Sequence, residues 1–313
     1  MPGNNKEEKI LMNHPGELAA LFTAVFWTIT ALAFEAASRR IGSMVVNLLR
    51  LMAGFCFLTL FVFFYRGTLL PLDATPHAWL YLTLSGLIGF VFGDLCLFQA
   101  FVLIGARISM LLMALAPPIT ALIGWVVLGE TLSWKSWIGM TLTISGIALV
   151  VLKRHTAAES NGGFRKVKFN YPLRGIFLGL GGAVGQAAGL VLSKVGMQGY
   201  DTFASTQIRV IAGIAGFAFI FTVMGFWKHA YRALSKRKPM LQLSLGAFFG
   251  PFLGVSFSLI AIKYADTGIA CTIMSIVPVL IIPPSMILYK EKVTLKEVAG
   301  AILAVSGVAM FFL

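Results

Sequence analysis

The chain has 313 residues, 58% of them hydrophobic and only 12% charged, with a mean hydropathy of +0.88 and a formal net charge of +13. A soluble domain averages about 45–50% apolar and about 25% charged residues, so this chain lacks the polar surface to remain in water. The positive charge sits in short clusters between apolar blocks, as in Lys153–Arg154, Arg165–Lys168 and Lys236–Lys238. That is the pattern of loops facing anionic lipid, and it excludes nucleic acid as the partner.

About 20 apolar residues span a ~30 Å hydrocarbon core, and the sequence predicts ten such spans. They cover 17–38, 44–65, 77–101, 105–128, 134–152, 173–194, 203–226, 241–263, 267–289 and 294–312. Ahead of the first, the charges are balanced and no small-residue cleavage site follows, so no cleavable signal peptide is expected. Glu35, toward the end of that span, reads as an interfacial, snorkelling carboxylate.

Charge at the bilayer centre costs about 2.5–3.5 kcal/mol on insertion scales, so each buried charge needs a reason. In the third span Asp94, beside Gly93, is the deepest acid. It suits a cationic substrate group or a carried proton, and equally a packing anchor paired with backbone or with Arg107. Arg50 and Arg209 sit early in spans two and seven, where they are expected to pair with an acid or a helix end. Pro117 and Pro118 interrupt span four, and Pro278, Pro283 and Pro284 interrupt span nine. Proline removes an amide donor and loosens the helix, and paired broken helices point to a transporter's site. The polar residues near these breaks are Gln99, Gln186, Gln207, Ser256 and Ser275, with Trp27 and Phe98 as apolar walls. Together with Asp94 they form the candidate substrate-binding set, although each of these glutamines and serines taken alone reads better as a bond joining helices.

Glu130 and Glu291 open the fifth span of each half as loop-orienting carboxylates. The polar segment 153–172 divides the spans five and five. Segment 227–240 places Trp227, Tyr231 and Leu234 at helical spacing against Lys228, Arg232 and Lys236, which predicts an interfacial amphipathic helix. Glycines crowd span six (Gly179, Gly181, Gly182, Gly185) and span eight (Gly246, Gly250, Gly254), as close helix packing in lipid requires. Cys56, Cys96 and Cys271 read as small buried hydrophobes, and the four histidines form no metal constellation, so neither metal nor cofactor is expected.

The strongest pattern is an internal repeat. Pro117, Glu130, Gly139 and Gly146 recur as Pro278, Glu291, Gly300 and Gly307, all at an offset of 161 residues. Gly89/Gly250, Gly93/Gly254, Ala100/Ala261 and Lys135/Lys296 share that offset. Upstream the register shifts by a short insertion, pairing Arg50 with Arg209 and Gly54 with Gly213. Each repeat holds five spans, an odd number, so the second copy enters the membrane from the opposite side. The expected organisation is a first repeat over 1–152, a basic linker over 153–172 and a second repeat over 173–313.

The stretch GDLCLFQAFVLIGARISMLLMALAPPITALIGWVVLGETLSWKSWIGMTLTISG (Gly93–Gly146) resembles the signature of the EamA family in the drug/metabolite transporter superfamily. The second copy, Val277–Gly307, keeps the proline, the glutamate and both glycines, but has Lys290 where the first has Gly129. The resemblance covers the whole chain. It implies an all-α integral membrane fold of ten transmembrane helices, two inverted five-helix repeats around a central cavity, and transport of small metabolites or drugs. The expected partners are a small-molecule substrate, membrane lipid and a coupling proton on Asp94, with a monomer sufficing because both halves share one chain.

Lys and Arg number seventeen in loops after odd-numbered spans against six on the other side. The first side is expected to be cytoplasmic, with both termini outside. No phosphate-binding Gly-rich loop supports a primary pump. An intramembrane enzyme on lipid-like substrates needs clustered acids or histidines, which twelve acids mostly in loops do not supply, and a non-transporting scaffold predicts no ligand at all.

Overall fold

In this computed structural model the described residues are 15–128, 132–152, 169–264 and 273–312. Glu130, Cys271, His155 and most of the linker lie outside them. The helices are α1 (Pro15–Ile41), α2 (Ser43–Arg66), α3 (Pro76–Gly86), α4 (Asp94–Met113), α5 (Ala116–Leu128), α6 (Trp134–Val151) and α7 (Leu173–Met197). After these come α8 (Thr202–Met224), α9 (Trp227–Leu234), α10 (Arg237–Ala247), α11 (Val255–Tyr264), α12 (Val277–Leu280), α13 (Ile282–Tyr289) and α14 (Leu295–Phe312). Among the described residues the sole β feature is an isolated bridge between Leu152 and Phe169. Among the described residues seven helices are long and apolar enough to cross a membrane, and Ala116–Val126 and Val277–Tyr289 form shorter apolar helices.

Local chemistry sets the ends. Thr75 accepts from the Ala78 amide at 3.2 Å with Pro76 in the first turn of α3, and Asp201 accepts from the Ala204 amide at 2.9 Å ahead of α8. Gly67 and Gly225, both left-handed, close α2 and α8. At α14, Thr294 and Glu297 bond each other's amides reciprocally, a capping box.

The predicted third span and the start of the predicted fourth run as one 38-residue apolar stretch, Pro76–Met113, and the rest of the fourth continues in α5. It bends at Gly105, whose φ of +79° a side chain would disfavour. The predicted proline interruptions lie at turns before the prolines. Ala114–Leu115 breaks the helix ahead of Pro117 and Pro118, and Ser275–Ile276 breaks it ahead of Pro278. The two breaks are 161 residues apart. Each proline thus falls in the first turn of a new helix, where its missing amide costs nothing. Pro283 and Pro284 follow a further break at Ile281.

The repeat extends to backbone detail. Leu87–Gly93 and Phe248–Gly254 are both seven-residue π-helical segments, at the 161-residue offset. Such segments are rare and gather at functional sites. Helix contacts repeat as well. A Cβ on Gly54 would meet Pro251 at 2.8 Å, and one on Gly213 would meet Phe90 at 3.3 Å, each pair being the counterpart of the other. Between α6 and α14, Thr143 donates to the carbonyl of Ala304, its own counterpart, at 3.3 Å. At the same crossing a Cβ on Gly307 would stand 2.5 Å from the Thr143 nitrogen and 2.6 Å from the Gly139 oxygen. Backbone cannot yield as a side-chain tip can. We therefore expect Gly307→Ala to force the two helices apart at a cost of about 1–3 kcal/mol, read as a fall in the detergent unfolding temperature. An unchanged temperature would mean that this crossing is not tight.

α9 is the amphipathic helix the sequence predicts, with Trp227, Tyr231 and Leu234 exposed and Ala230 and Ala233 buried against the bundle. One sequence expectation fails. Cys56 is exposed and Cys96 only half-buried, so neither is a buried core residue. Cys56 lies on the outward face of an apolar helix, where a small apolar side chain has no need of burial, while Cys96 packs one side against Gly181 of α7.

Candidate functional site

Residues of α2, α4, α7 and α8 meet between the ends of the bundle. Asp94 opens α4 directly after the first π-helical segment and is 4% exposed. Its Oδ2 accepts from Arg50, itself 5% exposed, and its Oδ1 accepts from Gln186 Nε2 at 2.7 Å. Asn47 holds the pair in place, donating to the Asp94 carbonyl at 3.2 Å and accepting from Arg50 Nε at 3.0 Å. Arg50 lies over aromatic faces: its guanidinium carbon is 4.6 Å from the Phe98 ring centre, 5.6 Å from Phe34 and 5.9 Å from Phe90. Arg209 lies 4.6 Å from the same Phe90 ring.

A second charged cluster closes one end. Glu35, 2% exposed, accepts from the Ala106 amide at 3.0 Å and from Arg39 at 2.9 Å. Glu35 therefore does not snorkel outward as expected: the amide freed by the Gly105 bend draws this carboxylate inward. A Cβ on Gly105 would stand 3.5 Å from Glu291 Oε1 and 3.7 Å from Glu35 Oε1, so two acids converge on that corner. Arg107 pairs with Glu291 and with Glu297, both at 2.9 Å. Tyr171, in the loop before α7, donates to Glu297 at 2.6 Å, and burial together with that bond pushes its hydroxyl upward. Arg107 thus serves this corner and not Asp94.

At the opposite end, Arg66 pairs with Asp73 at 2.6 Å and Tyr200 donates to Asp73 at 2.7 Å, while Asp201 lies 3.9 Å from Arg66. The Tyr200 hydroxyl first, and then Arg66, hold the Asp73 carboxyl below the usual carboxylate range. A depressed carboxyl stabilises the fold above its ordinary value of about 3.9, and that contribution disappears as pH falls through the depressed value. We expect Asp73→Asn to unfold at lower temperature than the parent near neutral pH, with the difference closing below about pH 4. A difference that stayed constant with pH would remove the carboxylate from this role.

Of the candidate residues, the structure brings Asp94, Gln186 and Phe98 together, and adds Arg50, Asn47, Phe34 and Phe90. The others lie elsewhere. Gln99 accepts from Ser43 at 2.7 Å near the start of α2. Gln207 donates to Thr59 and to the Leu69 carbonyl, both at 3.1 Å, joining α8 to the end of α2. Trp27 packs on Gly254 and the cluster around Ala20 and Ala261. Ser256 bonds its own helix at the Phe252 carbonyl, and Ser275 occupies the break before α12. A groove of about 480 Å³ lies away from the charged centre, between α2 and α9. Among the described residues no group of three His, Cys, Asp or Glu side chains could hold a metal.

Helices of membrane-spanning length, duplicated in backbone detail around a buried charged centre, define a multi-pass integral membrane protein. The chain belongs to the EamA-like transporter family, whose model matches residues 14–152 and 173–313. It is 25% identical over 197 residues to the uncharacterized transporter YvbV of Bacillus subtilis (strain 168), covering 62% of this chain and 59% of that protein. It is 26% identical over 121 residues to solute carrier family 35 member G1 of Homo sapiens, covering 39% of this chain and 33% of that protein. The chain thus spans about three fifths and one third of these two relatives. A solved crystal structure shares the fold at a TM-score of 0.64 and 17% identity, over 95% of this chain and 96% of that one.

Proposed function

We propose that the chain is a secondary or facilitative transporter of small metabolites or drugs, working by alternating access and exporting its substrate from the cell. The observation that carries this reading is the arrangement of charge along the helices. One ionic cluster joins the end of α1, the Gly105 bend of α4, the loop before α7 and the start of α14; another joins the end of α2, the loop before α3 and the turn between α7 and α8; the Arg50–Asp94 pair lies between them. Contacts that can break separately at either end are what a site opening to one face at a time requires.

The reading takes the chain as ten crossings, with inverted five-helix halves over 1–152 and 173–313 around a cavity that opens at the central cluster. The basic linker 153–172 lies on the cytoplasmic side. The chain acts as a monomer in the cell membrane, has no catalytic residue, and carries any coupling proton on Asp94, the buried carboxylate between the two end clusters.

The test is counterflow in liposomes containing the purified chain, with a panel of amino acids, nucleosides, sugars and amphipathic drugs. Saturable, chain-dependent exchange of at least one compound supports transport; a folded chain that exchanges none of them sinks it. Flux indifferent to a pH gradient would remove the proton from Asp94.

A further inference from the structure

We infer that the central site takes a substrate with one anionic group, a carboxylate or a phosphate monoester, on an apolar body. The inference rests on the transporter reading of that site and names its substrate class.

Arg50 and Arg209 are counterparts, each about a third of the way along its helix. Arg50 has an acid, Asp94, on the next membrane-crossing element of its own half. The counterpart of Asp94 at the 161-residue offset is Val255, so Arg209 has no acid in the matching place. Asp94, the one acid among the described residues in contact with this pair of arginines, takes its hydrogen bonds from Arg50 and Gln186 and makes none with Arg209, so a single carboxylate stands against two guanidinium groups. Among the described residues Arg209 makes no ion pair, and its Nε is buried without a hydrogen-bond partner. Two guanidinium groups lie within 6 Å of the Phe90 ring centre, at 5.9 and 4.6 Å, and the Asp94 carboxylate is bonded to the first of them. The centre therefore carries one unmatched positive charge.

An unpaired charge away from water is costly, and chains keep such groups where a ligand supplies the counter-charge. Arg209 is placed for this. It is only half-buried, whereas Arg50 is buried, and the residue facing its terminal nitrogen is Gly89, with no side chain to stand between. Phe34, Phe90 and Phe98, all buried, supply an apolar wall beside the two cations. A planar guanidinium presents paired donors that suit both carboxylate and phosphate, so the geometry names an oxyanion without choosing between the two.

The test uses the full chain purified in detergent, with phenylacetate, phenyl phosphate, phenylacetamide and phenethylamine as probes and sodium chloride as the simple-anion control. We expect one or both aromatic anions to raise the unfolding temperature in a saturable way, with the amide, the amine and chloride ineffective at equal concentration. In Arg209→Gln the apparent affinity for the anion should fall at least tenfold. Arg209→Met, which removes the unmatched charge, should leave the unliganded unfolding temperature equal to or above that of the parent, a result a purely structural arginine would not give. Arg209→Lys should retain part of the binding. Equal stabilisation by amide or amine, anion binding unchanged in Arg209→Gln, stabilisation by chloride alone, or no response to either aromatic anion would each overturn the inference. Counterflow of only neutral or cationic compounds would overturn it while leaving transport standing. Anion binding without any exchange in liposomes would do the reverse.

Discussion

Asp94→Ala should lower the stability of the chain by about 3–5 kcal/mol and abolish exchange, one of the two largest effects expected of any single substitution here. The reason is what remains behind. Without Asp94 the buried Arg50 guanidinium keeps its Asn47 contact and three aromatic faces but loses its counter-charge. Cation–π contacts at about 0.5–2 kcal/mol each do not replace a desolvated ion pair. Asp94→Asn keeps the shape and the Gln186 contact, so its stability should fall less while transport still suffers. The decisive variant is the double one. Replacing both partners with apolar residues, as in Arg50→Met with Asp94→Leu, removes the unpaired charge and should recover most of the lost stability, because a hydrophobic pair of similar volume is often as stable as a buried ion pair. If the double variant folds well but exchanges nothing, the pair is kept for function. If it folds well and still transports, the pair is a packing device and the site lies elsewhere.

What the sequence made legible follows from what repeats and what does not. Offsets are one-dimensional, so the 161-residue register read from Pro117/Pro278 and Gly146/Gly307 also marked the places of the two π-helical segments and the two helix breaks. It could not say that Gly89 and Gly93 lie in a π-helical segment, because that choice depends on what α7 brings against them: a Cβ on Gly93 would meet Gly185 at 3.2 Å. Gly105 was invisible for a related reason. In a chain with 32 glycines, the one that needs a positive φ cannot be told from those that only need to be small. Asp94, Arg50 and Arg209 were each singled out as costly charges, yet their pairing is a contact 44 residues apart across two helices, which spacing does not encode. In the sequence Glu35 reads as a snorkelling carboxylate because it lies near a helix end. Its inward turn follows from an amide freed 71 residues away. The role of Glu297 had a usable signal: Thr294 followed three residues later by Glu297 is a capping box, and the carboxylate so oriented also meets Arg107 and Tyr171.

The second large effect is expected at Arg107. This arginine, with a 10% exposed side chain, stands between Glu291 and Glu297, close to the corner where Glu35 also ends. Removing its charge in Arg107→Gln leaves three carboxylates near the Gly105 bend, of which Glu35 keeps its ion pair with Arg39 while Glu291 and Glu297 lose theirs with Arg107. Truncating one partner of a buried charge pair costs about 2–5 kcal/mol, and here the cost falls on the arrangement that holds α1, α4, α14 and the loop before α7 together, which on the alternating-access proposal is the closed form of that end. Even about 2 kcal/mol shifts a two-state population roughly thirtyfold. The measurement is labelling by a membrane-impermeant maleimide of Ser43→Cys, a buried position at that end whose hydroxyl now bonds Gln99, in a chain with Cys56, Cys96 and Cys271 replaced. Labelling should accelerate at least tenfold in Arg107→Gln. It should slow again when Glu291→Gln and Glu297→Gln are added, because the repulsion has then been removed along with the attraction. Rescue by those two changes would identify the cluster as an electrostatic latch on one face of the transporter. Acceleration without rescue would mean that Arg107 acts through packing of its stem on α14. No acceleration at all would show that this end is closed by the apolar contacts of α6 with α14, and that the charged corner is only their cap.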